Sequence, residues 1–224
     1  MQALLHRVLR RPTLYHALRH WLLGGLPFKE WVTLYGLDNP DGRVADLGCG
    51  PADVLRYVQP ENQPRVYLGI DFDAEYLQRA QRLSQRLGLN ATFVNLDLAQ
   101  LSHDTFVQNR LVELLKRFEI DRVLLLGVVH HLDDAATRST LNLLYSVPGV
   151  QTVVTQDVVV VPGATVNNLL AARDRGQHVR TEVEYNRLLA STNWPGRSVH
   201  WTRPGFRVAQ YIHFKLTRFA GPTA

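Results

Sequence analysis

Three aspartates, Asp46, Asp71 and Asp97, each close a short apolar run, and the first is followed at once by Gly48, Cys49 and Gly50. Carboxylates so placed accept hydrogens from hydroxyl or amino groups of a ligand, or else cap the next helix. Glycines let the backbone turn sharply and approach a ligand with no Cβ in the way. A fourth apolar run ends in the pair His130–His131, whose imidazoles exchange protons near neutral pH, and a fifth ends near Asp157. The segment RDRGQHVR places Arg173, Arg175, His178 and Arg180 within eight residues, beside Gly176. Such a set fits either a hinged lid gripping an anionic group through bidentate arginines or a solvated loop paired with Asp174 and Glu182.

The elements that must carry these residues are legible from hydrophobic period. From Arg43 onward the runs RVADL, RVYLGI, ATFVNL, DRVLLLG and QTVVTQ read as short buried strands. Between them lie amphipathic helices such as 76–87, with Leu77, Ala80, Leu83 and Leu87 on one face. Strand and helix in alternation imply an α/β protein, a mostly parallel sheet with helices on both faces. Ahead of it, 3–23 is apolar near a 3.6 period with a break at Pro12, a helical lead-in whose Tyr15 and Trp21 roof a pocket or fill the core. A short helix over 28–35 and the turn DNPDG follow. After Val161 the pattern predicts helices over 164–173 and 181–192 and strands over 197–202 and 208–218. We read the 224 residues as one domain: a helical extension (1–42), a core (43–157), and a substrate-side segment with the last two strands (158–224).

In an open α/β sheet the ligand sits outside the carboxyl ends of the strands, and DLGCGPAD falls there, with a helix expected to start near Ala52. Two ligand classes use such a turn, dinucleotides and S-adenosylmethionine. In the dinucleotide fingerprint the third glycine position falls on Asp53, whose charge would oppose a pyrophosphate. A cationic methyl donor tolerates acids. Asp46 lies just before the first glycine; Asp71, 21 residues after Gly50, suits ribose hydroxyls; Asp97 suits an adenine amino group, with Leu98 on the ring.

On these residues the chain resembles the class I (Rossmann-like) S-adenosylmethionine-dependent methyltransferases. DLGCGPA follows the family's first motif with Ala52 in the third glycine's place, Asp71 and Asp97 match the acids of the next two motifs, and DRVLLLGVVHHLDD looks like its HHL-type segment. The resemblance covers about 43–157 and implies a three-layer αβα sandwich whose seven-stranded sheet has the order 3-2-1-4-5-7-6, the last strand antiparallel. It implies S-adenosyl-L-methionine as cofactor, S-adenosyl-L-homocysteine as product, and no metal. The cofactor residues would be Asp46, Gly48, Cys49, Gly50, Asp71, Phe72, Asp97, Leu98, Gly127 and Val128. His131, His130 and Asp157 would be catalytic, with His131 favoured to face the pocket, and Arg175, His178, Arg180 and Tyr15 would meet the acceptor. The tail QDVVVVPG…RDRGQHVRTEVEY is similar to a group of small bacterial members with unassigned substrates, some linked to surface glycans or lipids.

Composition bounds the rest. With 46% hydrophobic residues, 20% charged and no run of 18 apolar residues, the chain reads as a soluble globular protein, and a single cysteine excludes an internal disulfide. A cytoplasmic location is expected, with peripheral membrane association as the alternative. The net charge is +5 and 22 of the 25 basic residues are Arg, which favours an anionic partner. The acceptor expected is the oxygen or nitrogen of a small molecule, glycan or lipid. An RNA methyltransferase acting on ribose or ring is an alternative, weakened because GVVHH stands where amino methylation of bases uses an Asn- or Asp-Pro-Pro-aromatic loop. A non-catalytic cofactor-binding or membrane-associated assembly protein is the other, suggested by the Arg-rich amphipathic start.

Overall fold

The structure, a computed structural model, describes residues 28–172, 174, 176–202 and 210–219. The expected lead-in helices, with Tyr15 and Trp21, and also Arg173 and Arg175, lie outside the described residues. A helix α1 (Phe28–Tyr35) leads into alternating elements: β1 (Arg43–Leu47), β2 (Val66–Asp71), α2 (Ala74–Leu87), β3 (Ala91–Asn95), α3 (Thr105–Arg117), β4 (Arg122–Leu126), α4 (Asp134–Ser146) and β5 (Thr152–Val160). Then come α5 (Thr165–Ala171), the two-residue β6 (Arg180–Thr181), α6 (Glu182–Ala190), β7 (Gly196–Thr202) and β8 (Tyr211–Thr217).

The sheet order is β3-β2-β1-β4-β5-β8-β7, with β6 paired to β5 beyond the end of β4. Apart from that extra two-residue strand, this is the order the resemblance implies. The first five strands run parallel, and β8 lies antiparallel between β5 and β7.

Alternation of side chains divides the core in two. On one face Ala45, Leu47, Leu68, Ile70, Val123, Leu125, Val153, Ile212 and Phe214 pack under α3, α4 and α6. On the other, Val44, Tyr67, Leu124, Val154 and Tyr211 pack under Trp31, Val32 and Tyr35 of α1 and Ala80 and Leu83 of α2. Helix ends are set by local chemistry. Asp73, Asp104 and Asp133 accept backbone N–H groups at the starts of α2, α3 and α4, and Thr181 with Glu184 forms a capping box on α6.

Two expectations change. The helix predicted from Ala52 is a 3₁₀ stretch, Asp53–Tyr57, followed by extended Val58 and Gln59. It has no side-chain cap, and Pro60 holds the residue before it out of helical conformation. The fifth strand runs on to Val160, so Asp157 lies inside it, one residue past Gln156, the last to pair with β4.

Candidate active site

The turn after β1 is built on two left-handed residues, Gly48 (φ 74) and Gly50 (φ 53). The Gly48 and Cys49 N–H groups both donate to the Ile70 carbonyl, at 2.7 and 3.0 Å, which ties the turn to the end of β2. A Cβ at Gly48 would stand 2.7 Å from Val128 Cγ2, whereas one at Gly50 would meet nothing within 4 Å. The turn is closed on its β4 side and open at Gly50. Ala52, in the third glycine's place, also takes a left-handed conformation (φ 53, ψ 40), strain worth about 1 kcal/mol, and its methyl is wholly buried in the core.

Asp46 stands at the foot of this turn, 2% exposed. The Tyr67 hydroxyl donates to its Oδ2 at 2.6 Å, while its buried Oδ1 has no partner among the described residues. Burial pushes the carboxyl up to about 7, Tyr67 opposing the shift and Asp71 adding to it. Burial likewise pushes the Cys49 thiol up, out of the nucleophilic range. An orphaned carboxylate oxygen beside an open glycine turn is chemistry for a small cation. The ammonium of S-adenosylmethionine fits it.

At the end of β2 the Asp71 carboxylate accepts the Gly50 N–H on Oδ2 (2.8 Å) and the Asp73 N–H on Oδ1 (2.9 Å). Each oxygen keeps a further lone pair, enough for two vicinal hydroxyls. Phe72 beside it is 71% exposed, an aromatic face at the rim. Asp97 caps the 3₁₀ turn that follows β3, taking the Ala99 N–H at 3.0 Å and the Gln100 side chain at 2.9 Å. Leu98 is half-buried against the core. Asp46, Gly48, Cys49, Gly50, Asp71 and Val128 thus form one connected unit. Asp97 contributes from the neighbouring strand end with its oxygens partly engaged by its own turn.

Beyond β4, the Gly127 N–H donates to the Gln156 carbonyl at 2.6 Å, and Val129–His131 form a 3₁₀ turn. His130 points inward, 5% exposed. Its backbone N–H and Nδ1 both meet Asp157 Oδ1, at 3.0 and 2.8 Å, and its Nε2 meets Asp174 Oδ1 at 3.0 Å. Burial works against charge on this imidazole, but the bonds to Asp157 and Asp174 outweigh it and raise it to about 9. A ring that donates to two carboxylates has no lone pair for an acceptor's proton. His131 is exposed, its ring centroid 4.4 Å from that of His130. Asp157 is 1% exposed, and its Oδ2 has no hydrogen-bond partner among the described residues.

The loop before β6 is seated on His130. The His178 N–H donates to the His130 carbonyl at 2.9 Å, and any Cβ at Gly176 would run into the imidazole. Gly176 therefore serves close contact. Arg180, expected at the acceptor, is 7% exposed and turned inward. It pairs with Asp134 at 2.7 Å and donates to the carbonyls of Val129, Leu132 and His178. Its guanidinium holds the histidine turn instead of an anionic ligand.

Sequence reasoning missed the partners supplied by other elements: Tyr67 on Asp46, Asp174 on His130, and an aromatic wall. In that wall the Tyr35 hydroxyl reaches Gln156 Oε1 at 3.4 Å, Trp31 Nε1 donates to Thr202 Oγ1 at 3.0 Å, and the same hydroxyl meets His213 Nε2 at 2.9 Å. Burial, with a smaller push from His200, lowers His213 to about 4. The four-residue spacing of Trp31 and Tyr35 was the one visible signal, since it puts both on one face of α1.

Residues 45–147 match the family model described as "Methyltransferase domain". No curated protein matches the sequence. Among solved structures, the methyltransferase domain of bacterial CtHen1-C is 18% identical (TM-score 0.57), with 87% of this chain and 98% of that one covered. Magnesium protoporphyrin IX methyltransferase (ChlM) from Synechocystis PCC 6803, solved with bound S-adenosylhomocysteine, is 18% identical (TM-score 0.58; 85% and 80% covered). Geranyl diphosphate C-methyltransferase from Streptomyces coelicolor A3(2), in complex with Mg²⁺, geranyl diphosphate and S-adenosylhomocysteine, is 12% identical (TM-score 0.55; 85% and 79% covered). The fold is therefore the Rossmann-like one shared with these proteins. With the domain match, it supports an S-adenosylmethionine-dependent methyltransferase. No described helix is long and apolar enough to cross a membrane.

Proposed function

We propose that the protein transfers a methyl group from S-adenosylmethionine to an oxygen or nitrogen of a small-molecule, glycan or lipid acceptor. The observation that carries the cofactor half is the buried, unpartnered Oδ1 of Asp46 beside the open turn at Gly50. Asp46 would hold the cofactor's ammonium, Asp71 its ribose, and Phe72, Asp97 and Leu98 its adenine. Bound there, the cofactor supplies an activated methyl group on a sulfonium. The chain's task is then alignment, exclusion of water and removal of the acceptor's proton. The histidine turn after β4 is the proton-handling part, with His131 as its accessible member and His130 and Asp157 as the groups that set its position. Gln156, half-buried at the end of the β4 pairing, would stand on the acceptor side, backed by the buried Trp31, Tyr35 and His213.

Calorimetry tests the cofactor half directly. S-adenosylmethionine should bind the intact chain, and Asp71→Ala should weaken binding at least about tenfold, since each vicinal hydroxyl loses a charged acceptor. No binding to the intact chain would end the proposal. Extracts incubated with the protein and cofactor should yield a product heavier by one methyl group, and that product identifies the acceptor.

A further inference from the structure

We propose that His130, His131 and Asp174 form a site for a divalent cation of the zinc class. One ligand atom from each of the three lies within 4.8 Å of the others, close enough for small side-chain shifts to bring them onto one ion. The donor set is two imidazole nitrogens and one carboxylate oxygen, which suits Zn²⁺ or Co²⁺; Ca²⁺ and Mg²⁺ prefer all-oxygen surroundings.

What surrounds the three residues makes this more than a chance cluster. Nδ1 of His130 is committed to Asp157 and Nε2 is aimed at Asp174, so an ion would take the place of the proton that Nε2 donates to that carboxylate. A carboxylate behind a ligating imidazole is the usual support of metal-binding histidines. Asp174 is held by its own local geometry, its Oδ1 also accepting the Gly176 N–H at 3.1 Å, and the His178 N–H locks that loop to the His130 carbonyl. Adjacent side chains usually diverge, yet the two imidazoles lie 4.4 Å apart, tilted by 37°. Exposure grades outward from buried His130 through half-buried Asp174 to exposed His131, so an ion has a path in and one coordination position left toward solvent. Three protein ligands with an open fourth place is the arrangement of catalytic zinc sites, in contrast to closed structural ones. Resting on the methyltransferase reading above, that open place would take an oxygen of the acceptor and lower its proton affinity so that the proton passes to solvent, His131 then serving as a ligand in place of accepting the proton itself.

The tag-free full chain titrated with Co²⁺ should develop visible d–d bands that saturate at one ion per chain, and Zn²⁺ should bleach them. His131→Ala, at an exposed position where truncation leaves no cavity, and Asp174→Asn should each abolish the bands. Asp157→Asn should weaken binding about tenfold to a hundredfold while leaving the ligands in place. His103→Ala, at an exposed histidine elsewhere, should change nothing. Absence of bands in the intact chain, or bands unchanged in both His131→Ala and Asp174→Asn, would overturn the proposal. S-adenosylmethionine binding measured on the same samples separates the two readings: bands without cofactor binding keep the cation site and remove the methyltransferase, and cofactor binding without bands does the reverse.

Discussion

A carboxylate that is buried, bonded on one oxygen and orphaned on the other is costly unless something arrives to pair it. Asp46 holds its proton up to about 7 for that reason, and the form that can bind an ammonium is the ionised one. The competent fraction grows as pH rises through about 7. Apparent affinity for S-adenosylmethionine should therefore increase about tenfold from about pH 6 to about pH 8. Calorimetric titrations at the two pH values measure this, and Asp46→Asn should bind weakly with a flattened dependence; an unchanged slope in that variant would assign the titration elsewhere. The candidacy of Asp46 was legible in the sequence, from its place before a glycine turn. Its unusual proton affinity was not, because the cause lies in depth, with Asp71 adding to it from the end of another strand and Tyr67 opposing it.

Elements, more than residues, decide which expected site groups reach the pocket. The strands and α2 were legible because period and turn residues agree over their whole length, as in 74–87 with Asp73 before it and Gly88 after it. The segment between β5 and α6 was not, because its role depends on contacts outside itself. The two-residue β6 pairs with the end of β5, and that register carries Arg180 inward beneath the histidine turn. There it bonds three carbonyls and Asp134, so β6, the 129–132 turn and the start of α4 are held by one guanidinium. Arg180→Ala strands those carbonyls and removes the inner half of an ion pair whose Asp134 carboxylate is exposed. It should cost about 2 kcal/mol, chiefly from the carbonyls left without a donor, with Lys recovering only part because it lacks the planar fork. Urea denaturation checks this: the midpoint should fall while the slope stays constant, and a cost below about 0.5 kcal/mol would mean the turn holds without it.

At the scale of the whole molecule, one sheet with two separately filled faces carries buried titratable groups of opposite sign. The alternation of strands and helices was legible because each apolar run is bounded and each helix has one apolar face, and the sheet order came with the family resemblance; which polar groups the two faces would trap was not legible, since that depends on pairings such as β5 with β8. His213, on β8, is depressed from 6.5 to about 4, so its contribution is present above the unfolded value and is lost as pH falls from about 6.5 toward 4. Asp46 is raised from 3.8 to about 7, so its contribution is present at low pH and is lost as pH rises from about 4 to 7. Each amounts to about 3 or 4 kcal/mol at about 1.4 kcal/mol per unit, and between about pH 4 and 6.5 the two oppose each other. His130, raised from 6.5 to about 9, then removes stability as pH climbs through that window. The intact chain should accordingly show a nearly level melting temperature from about pH 4.5 to 6.5 and a decline toward pH 9. Single variants should unmask the hidden slopes. Asp46→Asn should leave stability falling as the solution is acidified, from His213 alone, and His213→Gln should leave it falling as pH rises, from Asp46 alone. Thermal melts of the three proteins across that range decide the matter; parallel profiles would show that neither buried group governs the pH response of the fold.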